Sequence, residues 1–332
     1  MEEGVKDTAR RGTDEKAIRR LVEKLNSLRE GESAAVALVA CGRRAVEPLR
    51  AFLREGKPSD IYQPRRWAIV ALAGLKAKEV LLEYLRCPSP ISDPVARLGE
   101  EAVQDAAAAA LKQWPGEDVY EVLTAIVQRC HLPGAVATLG ELGCTEAIPD
   151  IVAALEDDVC REAAEKALRK LGNSAVPELI LAALNPWPDR NRESPSSLLR
   201  RSSAARLLAE IGVSEEQWLG LKPIINETDP AILIAAGRIS AQAGEEKSMK
   251  TISERLIGAL NDADWYFRDE IGNALVLIYD AARPMVELEI AKRSDLSLED
   301  GVFDAVLHTL LWVKRRAAEE RRVHSEQLGP AR

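Results

Sequence analysis

Cys130-His131, Cys144 and Cys160 form the densest group of soft metal ligands in the chain. A structural zinc site pins two ligands locally with a close pair such as Cys-x-x-Cys, and here the cysteines are separated by several helical turns instead. That spacing points to small buried hydrophobes, the role in which free cysteine usually packs. A cysteine nucleophile would need a base within reach. His131 is adjacent in sequence to Cys130, so on a helix its side chain points elsewhere. His308 lies beside Leu307 and Leu310 on an apolar stripe and His324 lies in a charged tail, so neither has the acid, base or orienting partner that catalysis needs. With no strand ahead of a glycine-rich turn, there is also no phosphate-binding loop. The expected catalytic set is therefore empty, with no metal and no cofactor, and binding is the chemistry left to examine.

Two kinds of side chain could bind. The pairs Asp157/Arg161 and Asp262/Arg268 recur at one position of a repeat, which argues for helix capping and ion pairs between stacked units rather than for an anion site. Trp218, Trp265 and Trp312 are evenly spaced but fall on inequivalent elements. Trp265-Tyr266-Phe267 alone has enough clustered aromatic surface to suggest a contact site.

The elements that must position these residues are helices. Ala37 to Leu49, Leu139 to Ile151 and Leu168 to Leu179 share one order: helix, glycine, short turn, proline, helix. Gly42, Gly143 and Gly172 suit the position after a helix, where positive φ is needed. Pro48, Pro149 and Pro177 suit the first turn of the next, where a missing N–H is harmless. Between such joints, Cys160, Ala163, Ala164, Ala167, Leu168 and Leu171 make one stripe at a spacing of three and four, and Leu142 ends a first helix facing its partner. Carried along the chain, the pattern predicts helix pairs at 33–55, 65–86, 95–129, 131–156, 158–184, 197–226, 230–260 and 264–293. A cap helix at 13–29 (begun by Thr13) precedes them, and another at 297–324 (begun by Ser297) follows. Residues 1–12 and 325–332 are expected to lie outside the fold.

Asp157-Asp158-Val159-Cys160-Arg161 through Ala175-Val176-Pro177-Glu178-Leu179 resembles the HEAT-like repeats first associated with phycobilisome lyases. The resemblance is strong over 131–185, recognisable at 37–55 and 261–277, and weaker elsewhere. It implies an α-solenoid, and the persistence of the glycine–proline punctuation and three-to-four spacing predicts a single right-handed α-solenoid of antiparallel HEAT-like helix pairs over 13–324. It says little about chemistry, since this repeat serves lyases, adaptors and regulators alike.

Composition agrees with an all-α class. Aromatic residues are 4%, hydrophobic residues 46% and charged residues 30%, a mixture that packs helices rather than sheets. The net charge is −8 and the pI about 5.3, so neither nucleic acid nor an anionic membrane is the expected partner. Five scattered cysteines and no apolar leader suggest the cytoplasm.

Charge is expected to separate between the two helices of a pair. Over 116–129, 145–156, 174–184 and 214–227, second helices carry ten carboxylates against Arg129 and Lys222. Second helices normally line the concave side of a HEAT-type superhelix. First helices carry Arg65, Arg66, Arg200, Arg201 and Arg206, so an acidic inner and a more basic outer face are expected. Glu117, Glu121, Glu146, Asp150 and Glu178 are the candidate contacts for a protein partner with a basic segment. A second candidate is the edge carrying the long joints 56–64, 87–94 and 185–196, with Tyr62, Trp187, Arg190 and Arg192. A non-catalytic interaction scaffold is the leading expectation. A phycobilin or tetrapyrrole lyase-like activity would need a pigment pocket with convergent arginines, and DNA binding would need a basic groove.

Overall fold

A computed structural model describes residues 15–56, 63–87, 91–130, 132–189, 192–300 and 304–328. The chain divides into two compact units, Met1–Leu171 and Gly172–Arg332.

Unit 1 holds α1 (15–24), α2 (Gly31–Ala40), α3 (Val46–Glu55), α4 (Pro64–Gly74), α5 (Lys78–Arg86), α6 (Pro94–Ala110), α7 (Glu117–Arg129), α8 (Pro133–Leu142), α9 (Ile148–Ala153) and α10 (Arg161–Leu171). Even-numbered helices pack on one another in the order α2, α4, α6, α8, α10, and odd-numbered helices in the order α3, α5, α7, α9. These two layers enclose a core of Leu38, Leu49, Leu53, Leu72, Leu81, Leu123, Leu139 and Leu168. Leu142, expected to face its partner, is only half-buried, and Leu139 one turn earlier fills that role. Within the even layer the helices approach closely where α8 meets α10: a Cβ on Gly140 would lie 2.6 Å from the Ala167 Cα.

Unit 2 holds α11 (Val176–Leu184), α12 (Pro195–Ile211), α13 (Glu215–Leu221), α14 (Pro230–Ala243), α15 (Glu246–Ala259), α16 (Trp265–Leu277), α17 (Tyr279–Asp300) and α18 (Ala305–Leu328). Its even layer runs α12, α14, α16, α18, and α15 packs on α17 in the odd layer. Where no strand was expected, Pro188–Asp189 and Arg192–Glu193 form a two-residue antiparallel ladder inside the α11–α12 joint. The joint is long enough to turn back on itself, and Trp187 N–H donates to Ser197 Oγ to hold its base.

The punctuation read from sequence is observed. Gly42, Gly143 and Gly172 all have positive φ, and Gly212 and Gly244 repeat the device in unit 2. Four even-numbered helices, α6, α12, α14 and α16, start behind short acceptors: Asp93, Ser194, Asp229 and Asp264 each accept a backbone N–H three residues on. The last helix departs from expectation. It begins behind Asp304, which accepts from Val306 N and Leu307 N, and Ser297 lies within α17. Aspartate caps a helix as well as serine does, and its charge also complements the helix dipole. Thr13 lies outside the described residues.

Candidate functional site

The odd layer of unit 1 carries the first candidate surface. At its α3–α5 end the charges cancel. Arg50 and Arg54 of α3 both clasp Glu83 of α5, and Lys78 of α5 bonds Asp118 of α7 at 2.6 Å. That lysine holds the Asp118 carboxyl below its ordinary range. Beyond this point the compensation stops. Glu117 and Glu121 on α7 are exposed and make no ion pair or hydrogen bond among the described residues. On α9, Asp150 accepts from Gln128 Nε2 at 3.2 Å, a neutral donor that leaves its charge in place. Glu146, exposed before α9, is held below the ordinary carboxylate range by its own backbone N–H and the Thr145 hydroxyl. Between Gln113 and Cys160 the only Lys or Arg in the sequence is Arg129, and its guanidinium turns to Gln104 of α6. Four of the five expected acidic contacts therefore lie on α7 and around α9. Glu178, half-buried on α11, belongs to unit 2.

The basic outer face does not hold. Arg65, Arg200 and Arg201 are buried, which leaves Arg66 and Arg206 as the exposed members of the expected set. Arg201 Nε donates to the Ala183 carbonyl at the end of α11, and its terminal nitrogens bind Glu193 and Glu227. Arg161 Nε donates to Leu155 O and Arg268 Nε to Leu260 O in the same manner. An arginine near the start of an even helix thus closes the carbonyls ending the odd helix before it. The expected Asp262/Arg268 pair is absent among the described residues: Asp264 caps α16, and Arg161 pairs with Asp158. The signal was in the sequence, since Asp157/Arg161 and Asp264/Arg268 share a spacing of four. Capping explains that spacing, since Asp157 accepts from Val159 N and Cys160 N and Asp264 from Phe267 N.

Arg65 departs from this device and forms a buried cluster. It meets Glu100 at 2.5 Å, and Tyr84 donates to the other oxygen of Glu100 at 2.6 Å. Burial, then the Glu100 charge, pushes the Tyr84 phenol far up. The cluster joins α4, α5 and α6, and sequence gave no hint of it.

At the loop edge, Tyr62 and Arg190 lie outside the described residues, and of Arg192 only the backbone is described. Trp187 is half-exposed and has a cation already: the Arg200 guanidinium stacks 3.8 Å from its ring centroid. The cysteines match no reactive pattern. Cys144 and Cys160 are buried, and burial pushes both thiols up, Cys160 to about 12. Neither is a thiolate at neutral pH. No three His, Cys, Asp or Glu among the described residues are placed to hold a metal ion. His131 lies outside the described residues, and His308 is exposed.

Residues 134–157, covering α8, the turn after it and α9, match the family model of the PBS lyase HEAT-like repeat. The chain carries a HEAT-like repeat. That segment also holds Glu146 and Asp150, so half of the acidic candidate surface is built on the matched repeat. No curated protein matches the chain. No helix among the described residues is long and apolar enough to cross a membrane.

Proposed function

We propose that this protein is a cytoplasmic, non-catalytic interaction scaffold. In this reading its helix pairs are antiparallel and continue as a right-handed solenoid, and its odd helices face a protein partner bearing a basic segment. The single observation that carries this reading is the interrupted neutralisation of the odd layer. Glu83 and Asp118 are matched by Arg50, Arg54 and Lys78, and Glu117, Glu121, Glu146 and Asp150 are not. Like charges gathered on one surface repel one another in the free protein, so a cationic segment gains from relief of that repulsion as well as from direct pairing. Such contacts govern encounter more than stability.

The test is affinity capture from the source cells with the wild-type chain and with Glu121→Lys/Asp150→Lys, at low and high salt. The reading expects a partner with a basic segment that is kept by the wild type, lost by the variant and weakened by salt. Identical capture by the two chains would refute it. Buried Arg65, Arg200 and Arg201 weigh against the pigment-lyase alternative, whose pocket would need such arginines free to meet propionates.

A further inference from the structure

Trp265 at the start of α16 is 79% exposed and Tyr266 beside it 55%. Their rings meet edge-on at 6.1 Å, and Tyr266 leans on Phe267 at 5.8 Å. Clustered large aromatics left in water are the kind of residue that dominates binding energy once covered. The surroundings give the sign of what covers them. Asp262, Asp264 and Asp269 are exposed, and none of the three forms an ion pair among the described residues: Asp264 accepts from Phe267 N and Asp269 from Asn273. Trp265 and Asp269 stand four residues apart on one helical face. Arg268 is half-buried and turned to the Leu260 carbonyl, and Arg293 is held by Glu289 and Asp304. At Trp187 the same ring chemistry is satisfied internally by Arg200; among the described residues Trp265 has no such cation.

We infer that the start of α16 docks an arginine-bearing extended segment of a partner protein. A guanidinium lies on the open indole face, where the ring quadrupole attracts it. Asp262 and Asp269 supply the carboxylates that arginine pairs with in fork geometry. This site lies in unit 2 and stands independently of the acidic surface on unit 1.

The experiment uses the full chain carrying Glu121→Lys/Asp150→Lys, so that the unit 1 surface does not contribute, with fluorescently labelled octa-arginine as the probe. Adding Trp265→Ala should weaken binding about threefold to tenfold, and Trp265→Phe should restore part of the loss. Asp262→Asn/Asp269→Asn should weaken binding and flatten its salt dependence. Because Trp265 is exposed, the thermal melt of each variant should match its parent. Unchanged octa-arginine affinity in Trp265→Ala would overturn the assignment. Equal displacement of the probe by a neutral apolar peptide of the same length would overturn the cationic occupant.

Discussion

Gly140 gives the sharpest test of how the even layer of unit 1 is packed. In an open helix, replacing glycine by alanine stabilises by about 0.5 to 1 kcal/mol, because alanine loses less backbone entropy on folding. At Gly140 the new methyl would lie 2.6 Å from the Ala167 Cα, and closer still to its Cβ, where ordinary contact begins at 3.4 Å. The obstacle is α10 backbone, so no side chain can swing away, and the even layer must part by most of an ångström. Overpacking of this kind costs about 1 to 3 kcal/mol. The clash therefore outweighs the helix gain, and Gly140→Ala should lower the melting temperature, at roughly 2 to 4 °C per kcal/mol for a unit of this size. Gly258, late in α15, has nothing within 4 Å of its would-be Cβ, so Gly258→Ala should raise stability by a few tenths up to about 1 kcal/mol. Thermal and urea unfolding followed by circular dichroism would read both. Gly140→Ala as stable as the parent would show that α8 and α10 are not in close contact.

Three further outcomes follow from the site geometry. Glu245 takes hydrogen bonds from Lys222, Ser248 and the buried Trp218 indole, which hold its carboxyl down to about 2. A depressed carboxyl contributes stability that is present above its unfolded value of about 4.3 and lost as pH falls through the folded one, so unit 2 should weaken between about pH 5 and 2. Glu245→Gln should flatten that slope in an acid titration followed by circular dichroism. Arg201→Met should destabilise unit 2 by about 2 to 4 kcal/mol in urea unfolding, since Glu193, Glu227 and the Ala183 carbonyl lose their common partner. Exposed Cys87 should react first with a thiol reagent at neutral pH, with buried Cys144 and Cys160 protected until unfolding.

The repeat grammar was legible in the sequence because it depends on local chemistry. Glycine at positive φ, proline in a first turn and aspartate before a first helix each act within four residues, and Gly143, Pro149 and Asp157 sit as read. The acidic candidates were legible in the same way, as a stretch of α7 and α9 almost without cations. The arginines misled because a charged side chain near a helix start reads as surface until its acceptor is known. Two acceptors of Arg201, the Ala183 carbonyl at the end of α11 and the Glu227 carboxylate beyond α13, lie 18 and 26 residues away. Likewise the Arg65–Glu100–Tyr84 cluster joins three helices and has no short-range signature. The start of the last helix was placed too early because Ser297 resembles a cap, and Asp304 provides a better one.

The proposed attraction of a cationic partner rests on the unmatched carboxylates of α7 and around α9. It is tested most directly by measuring the association rate of the captured partner against ionic strength, for the wild type and for Glu121→Lys/Asp150→Lys. The wild-type rate should fall steeply with salt, and the variant should show a slower rate with a flatter dependence and an unchanged melting temperature. Superimposable rates and salt slopes for the two proteins would contradict it.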